Sequence, residues 1–177
     1  MSKVIIFAHP NEDKSVANKT LLESVIGKIE VHKLYKLYSD GKINVSAEHE
    51  MLNKHDHIIL QFPFYWYSSP SLLKQWLDDV LIFGFAYGEG GSKLANKTLQ
   101  VAITTGGNAQ AYSAEGYNSR DVKEYLYPLE QTAKLCQMKW AEPIISLGAG
   151  VLMRGTEEEK SAWLKSAVAD YTAKILG

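Results

Sequence analysis

The sequence predicts an α/β domain: a doubly wound parallel β-sheet with helices on both faces. Three observations lead there. Short apolar runs rich in Val, Ile and Leu recur along the chain, and such unbroken runs mark strands buried on both faces. Between them lie segments of helical periodicity, so the chain is built from strand–helix–strand units whose right-handed crossovers place helices on either side of one sheet. At 177 residues, with no linker, repeat or low-complexity tract, residues 1–177 suit one domain with a proper core.

The elements follow in order. Lys3–Ala8 (KVIIFA) is the first strand, and Ser15–Ile26 a helix with Ala17, Leu21 and Val25 on one stripe. Glu30–Tyr35 supplies a second strand. Ser46–Lys54 is a helix opened by Ser46 and Glu50, one position beyond capping-box spacing. His57–Pro63 is the third strand. Ser69 caps and Pro70 opens the next helix, where Leu72, Leu73, Trp76, Leu77, Val80 and Leu81 recur at helical spacing. A glycine-rich loop, Gly84–Gly91, leads to the fourth strand, Thr98–Thr105. Arg120–Leu135 reads as a helix bent at Pro128, Pro143–Gly148 as the fifth strand, and Glu157–Ile175 as a last helix burying Trp163, Ala167, Tyr171 and Ile175.

Composition removes several function classes. A net charge of −1 leaves no electrostatic footprint for nucleic acid and no polybasic membrane patch. Cys136 is the single cysteine, which excludes an internal disulfide, a Cys-rich zinc site and a cysteine-ligated iron–sulfur cluster within one chain; a buried, inert thiol is expected. His55 and His57 have no third ligand nearby, so no metal is expected. No run approaches the ~20 apolar residues of a membrane span, and the N-terminus enters a strand at once, so a reduced, cytoplasmic protein is the expectation. There is no G-x-S-x-G elbow for hydrolase chemistry, and GEGGSKL (Gly88–Leu94) lies in no strand-to-helix turn, so it is not a P-loop. Glu157–Glu159 is a favourable charge run at a helix start.

Ligands of doubly wound sheets sit beyond the carboxyl ends of the strands, where strand order reverses. The loop after the first strand (HPNEDKSVANK) has no glycine fingerprint. Ser15 opens a helix there, with His9 behind and Lys14 and Asn18 near; the unpaired amides and positive dipole of a helix start suit a phosphate, and the plainer alternative, favoured when this loop is taken alone, is that Ser15 or Asp13 is simply an N-cap and His9 a surface histidine. After the third strand come Phe64, Tyr65, Trp66 and Tyr67, which fit an aromatic wall, a packed loop or a dimer interface. After the fourth, TTGGNAQAY offers Gly106 and Gly107, whose backbone can approach a ligand and donate to it, or an ordinary Gly-Gly turn. Taken together, the loops describe a phosphate site, aromatic walls and amide donors around a flat ring. Flavin mononucleotide fits.

The motifs AHP with SVANK, FPFYWYSSPSLLKQWLDDV, GFAYG with GG, TTGG, AYSAEGYN and PLEQTAKLCQM resemble, in order and over almost the whole chain, the flavodoxin-like NAD(P)H:quinone oxidoreductases of the DT-diaphorase type. The bacterial branch of that family includes accessory oxidoreductases of glutathione-gated potassium-efflux systems. The resemblance implies a five-stranded sheet of order 2-1-3-4-5 and a flavin, FMN being preferred to FAD because the chain is short. It assigns His9 with Ser15, Val16, Ala17 and Asn18 to the flavin phosphate, and Phe64, Tyr65, Trp66 and Tyr67 to the isoalloxazine edge. Thr105, Gly106, Gly107 and Asn108 become the second flavin loop, and Tyr112 the family tyrosine near hydride transfer. It also implies a homodimer whose partner completes the active site.

One position departs from mammalian members, which place a histidine proposed to relay a proton where this chain has Asn118. An amide donates a hydrogen bond but takes up no proton in this range. The implied reaction is two-step: hydride from NAD(P)H to flavin, then to a quinone or similar electrophile. The rivals are a one-electron carrier, which lacks its usual acidic docking face here, and a regulatory subunit of a membrane potassium-efflux antiporter with secondary redox activity.

Overall fold

A computed structural model describes residues 1–177. Strands β1 (Lys3–Phe7), β2 (Glu30–Lys33), β3 (His57–Pro63) and β4 (Thr98–Thr104) pair in parallel in the order β2-β1-β3-β4. The last place in the sheet is divided between β5 (Lys139–Trp140) and β6 (Ile144–Ser146), both parallel to β4. The expected order 2-1-3-4-5 is therefore present, with its fifth strand broken. Leu99 pairs with Trp140 and Ala102 with Ile144, so the outer strand carries one more residue than β4 between these points, as in a bulge. Pro143 sits in the break, without an N–H for the ladder. Gln100 donates instead from Nε2 to the Glu142 carbonyl (2.8 Å).

The helices are α1 (Val16–Glu23), α2 (Leu34–Leu37), α3 (Val45–Lys54), α4 (Ser71–Val80), α5 (Tyr127–Leu135), α6 (Val151–Arg154) and α7 (Glu157–Leu176). Successive strand residues face opposite sides of the sheet. Val4, Ile6, Leu60 and Val101 join Leu52 of α3, Leu73 and Trp76 of α4 and Ala133 of α5. Ile5, Phe7, Ile59 and Ala102 join Leu21 and Leu22 of α1 and Tyr171 and Ile175 of α7. Trp163 and Ala167 of α7 are only half-buried.

Several boundaries differ from the sequence reading for local reasons. β2 stops at Lys33, because Leu34–Leu37 turns into α2. α3 begins at Val45 under Asn44, whose Oδ1 accepts from the Ala47 amide (3.1 Å); Ser46 is inside the helix rather than its cap. Pro70 stands at the N-cap of α4 with an extended ψ of 152°, one residue before the helix. The segment read as one bent helix is a 3₁₀ turn, Val122–Leu126, opened by an Asp121–Glu124 capping box, followed by α5 with Pro128 in its first turn, where a missing N–H breaks no bond. Cys136 is buried, and burial pushes its thiol pKa up.

A buried carboxylate ties the helices behind the sheet. Glu48 of α3 has no exposed surface; its carboxylate accepts from Trp76 Nε1 (2.7 Å) and from the Tyr38 hydroxyl, and lies 2.7 Å from His32 Nε2 of β2. Burial works to raise its pKa, but the His32, Tyr38 and Trp76 contacts outweigh burial and hold it below the usual carboxylate range. Tyr35, in α2, accepts at its hydroxyl from the Leu72 amide (3.2 Å), satisfying one orphan donor of α4. α4 and the aromatic loop before it are thereby anchored.

Candidate functional site at the carboxyl edge of the sheet

β1 delivers the first loop. His9 is buried, and its Nδ1 accepts from the Asn11 amide (3.1 Å), so the ring proton sits on Nε2. Burial lowers its pKa against the opposing pull of Glu12 and the Asn11 contact, leaving a neutral imidazole with a free donor. Ser15 is the N-cap of α1, yet its buried hydroxyl makes no capping bond. The amides of Val16, Ala17 and Asn18 belong to the first helical turn, which has no intrahelical acceptors. Asn18 is 2% exposed: Nδ2 donates to Thr104 Oγ1 (2.7 Å), and Oδ1 has no partner. Its carbonyl accepts from Gln61 Nε2 (3.0 Å), while Gln61 Oε1 accepts from the Tyr171 hydroxyl (2.7 Å). A buried polar chain thus runs from the start of α1 through β3 to α7. Val16 contributes its amide only, since its side chain is exposed.

The second loop follows β3. Tyr65 and Ser68 exchange backbone bonds of 3.1 and 2.9 Å around Trp66 and Tyr67, both left-handed at φ 49° and 61°. Two bulky residues with positive φ make a tight turn of a kind normally left to Gly and Asn. The Trp66 and Tyr67 amides donate to nothing in the chain. Trp66 is 90% exposed, whereas Phe64 turns inward. His9 and Tyr65 meet edge to face at 6.2 Å, which joins the first and second loops.

The third loop leaves β4. Thr105 is buried; its Oγ1 donates to the Gly107 carbonyl (2.7 Å) and its amide to Ser146 (3.1 Å). The amides of Gly106, Gly107 and Asn108 have no acceptor in the chain. A Cβ on Gly106 would meet nothing within 4 Å, whereas one on Gly107 would lie 3.1 Å from the Tyr112 ring. Gly106 therefore borders open space, and Gly107 seats Tyr112. Asn108 turns its side chain to the Ala111 amide (3.0 Å), so it shapes the turn rather than facing a ligand. Tyr112 ends a 3₁₀ turn, Gln110–Tyr112, with its hydroxyl unpartnered. Burial raises its pKa, and Tyr67 and Tyr125 add to the effect.

The predicted residues thus form a continuous arc: Asn18 to Thr104, His9 to Tyr65, and Phe64 to Tyr112 at 6.4 Å. Asn118 is in the arc as a tie, its Oδ1 accepting from the Tyr67 hydroxyl (3.1 Å). Two contributors escape the sequence reading. Tyr125 stacks on Tyr67 (5.2 Å, 27°), meets Tyr112 edge-on (6.3 Å, 80°) and donates to the Asn118 carbonyl (2.9 Å). The loop after β6 buttresses the third loop: the Gly148, Ala149 and Gly150 amides donate to the carbonyls of Gly107, Thr105 and Gly106. The glycines of SLGAG were a signal for the second, since a Cβ on Gly150 would lie 2.7 Å from the Gly106 carbonyl oxygen. His55, by contrast, sits at the other end of the sheet against the Met51 carbonyl and Glu30.

Known proteins share this architecture. The glutathione-regulated potassium-efflux system ancillary protein KefG of Cronobacter sakazakii is 44% identical over 144 residues, 80% of this chain and 78% of its own. General stress protein 14 of Treponema denticola, solved in complex with FMN, is 35% identical with a TM-score of 0.85 over 98% of this chain and 99% of that one. An NADPH-quinone reductase from P. pentosaceus is 28% identical with a TM-score of 0.80 over 95% and 96% of the two chains. A family model described as the flavodoxin-like fold matches residues 1–175, and the chain belongs to that family.

Proposed function

We propose that this protein is an FMN-dependent NAD(P)H oxidoreductase that carries a hydride from NAD(P)H to a quinone or similar electrophile. The observation that carries the reading is the array of unpartnered donors at the carboxyl ends of β1, β3 and β4: the first-turn amides of α1, the Ser15 hydroxyl, and the amides of Trp66, Tyr67 and Gly106–Asn108. The open space at Gly106 and the orphaned Asn18 Oδ1 fit the cofactor, with the amide reversed to donate to phosphate and Thr104 donating in its place. Support also comes from relatives, one named as an FMN complex and one as an NADPH-quinone reductase.

When bound, FMN supplies a ring that can take up and release a hydride. The chain's own residues do the rest. Ser15, the Val16–Asn18 amides and His9 Nε2–H would hold the phosphate, and the donors of the second and third loops would hold the polar ring edge. Phe64 and Tyr112, 6.4 Å apart, would exclude water from one side of the bound ring. Tyr112, like any phenol, keeps its proton at neutral pH, burial pushing its pKa further up, and can donate to an acceptor oxygen. Asn118 takes no proton, so it orients rather than relays. The exposed Trp66, Phe83, Tyr117 and Tyr127 suit a homodimer interface that would cover the site. No helix is long and apolar enough to cross a membrane.

A second reading rests on the identity to KefG: an ancillary subunit of a potassium-efflux antiporter whose redox activity is secondary. The first test is the purified protein's spectrum, the chromatographic identity of the released flavin, and NAD(P)H oxidation with menadione. Protein that is colourless and gives no absorbance change with FMN or FAD sinks the flavoprotein reading. Flavin binding without menadione-stimulated turnover, together with co-purification of an antiporter, favours the second reading.

A further inference from the structure

We propose that Gln61 and Tyr171 are positioning residues for the cofactor phosphate: through one buried hydrogen-bonded chain, helix α7 sets where the first turn of α1 presents its amides. The proposal rests on the flavoprotein reading and adds two buried residues that hold its phosphate cradle.

The direction of the chain follows from the chemistry of its two ends. A backbone carbonyl only accepts, so the Gln61 atom 3.0 Å from the Asn18 oxygen must be the amide nitrogen. Gln61 Oε1 then faces Tyr171, whose hydroxyl must be the donor (2.7 Å). Burial pushes the Tyr171 phenol pKa up, so that donor is present throughout the neutral range. The tie from the Asn18 side chain to Thr104 Oγ1 is different in kind. A hydroxyl can donate or accept, so that amide can turn over when phosphate arrives. The backbone tie has one polarity only and holds while the side chain adapts.

The surroundings argue for a task beyond packing. Gln61 lies between Phe7 of β1 and Ala102 of β4, its cross-strand neighbours, both members of the apolar cluster under α1 and α7. Tyr171 belongs to the same cluster, with Ile5 and Ile59, and Asn18, Gln61 and Tyr171 are all buried. Polar groups sunk among aliphatic ones cost stability unless paired, and Met with Phe would fill about the same space without that cost. What the pair adds is a fixed residue at the start of α1. Asn18 is held from β4 by its side chain, and from β3 and α7 by its carbonyl. Its amide, with those of Val16 and Ala17, belongs to the helical turn that lacks intrahelical acceptors. Small displacements of such a cradle weaken what it binds.

The test measures the Kd of FMN and of riboflavin, which lacks the phosphate, for the apoprotein by flavin-fluorescence quenching. Wild type is expected to prefer FMN. Gln61→Met and Tyr171→Phe are each expected to cut that preference by about three- to tenfold, the range one neutral hydrogen bond supplies, with riboflavin Kd near its wild-type value. The double variant leaves neither side chain's polar atoms orphaned, so it is expected to melt above either single variant and yet keep the lowered preference. It also serves as the test where a single variant does not fold. FMN and riboflavin weakened in equal proportion overturns this proposal alone, since the chain would then serve the fold and not the phosphate. So does a preference unchanged in all three variants. Wild type that binds neither flavin overturns the flavoprotein reading, and this proposal with it.

Discussion

Gly150→Ala tests whether the loop after β6 governs the third ligand loop. Gly150 has φ −58° and ψ −23°, a conformation alanine prefers, so the backbone alone should gain ~0.5 kcal/mol through the unfolded state. The new Cβ, however, would sit 2.7 Å from the Gly106 carbonyl oxygen, where ordinary contact begins near 3.4 Å. The obstacle is backbone, and that carbonyl also accepts from the Gly150 amide (3.2 Å), so the loop must move by roughly the shortfall. Overpacking of this kind costs about 2 kcal/mol. The net loss of ~1.5 kcal/mol corresponds to a fall in Tm of about 3–6 °C for a chain of this size. A displacement of more than half an ångström in a positioning loop should also weaken FMN by about tenfold or more. The assay is flavin-fluorescence quenching for Kd, alongside thermal unfolding of the apoprotein. A lowered Tm with unchanged Kd would show that the Gly106 region does not touch the cofactor. Unchanged values for both would mean that the contact between the two loops is soft.

Other expectations use the same geometry. Ser15→Ala removes a hydroxyl that makes no capping bond, so it should cost under ~0.5 kcal/mol instead of the ~1 kcal/mol typical of an N-cap, yet weaken FMN about tenfold; titration calorimetry and unfolding in urea separate the two. Trp66→Gly relieves a left-handed aromatic whose ring is 90% exposed and should leave stability within ~1 kcal/mol while slowing turnover. Trp76→Ala, by contrast, opens the core and should cost about 3–5 kcal/mol. Glu48→Gln should cost about 1–3 kcal/mol at pH 7, because Trp76, Tyr38 and His32 lose a charged acceptor. The folded pKa of Glu48 is depressed, so its contribution is complete above the unfolded carboxylate value of about 4.3 and fades as pH falls through the folded one. Denaturation curves from pH 7 downward should therefore converge for wild type and Glu48→Gln only in acid.

Much of this was legible because burial on both faces writes an uninterrupted apolar run, as in KVIIFA and HIILQFP, and because function in such sheets gathers where those runs end. What stayed hidden depends on contacts distant in sequence. Tyr125 lies in a stretch with helical periodicity, and nothing local announces that its ring stacks on Tyr67. Asn118 occupies a position that resemblance links to proton relay, and only the hydrogen bond from Tyr67 gives it an orienting part. The divided fifth strand was missed because two residues of strand, Lys139 and Trp140, are too few to register as a run, and the bulge at Pro143 shifts the alternation. Glu48 carries a charge on a helix, which normally marks a solvated face; its burial required donors from β2, α4 and the segment after α2.

The interruption in the outermost strand also bears on self-association. An open sheet exposes unpaired amides and carbonyls along its two outer strands, and a long flat one is a template for another chain. Here one border is β2, only Glu30–Lys33 and charged at both ends, while the other is cut by a bulge and a proline into Lys139–Trp140 and Ile144–Ser146. Neither border presents a ladder long enough for a second copy to extend. Partly folded chains still expose the apolar faces of the sheet and can associate through them, but they lack the continuous border that would nucleate fibrils.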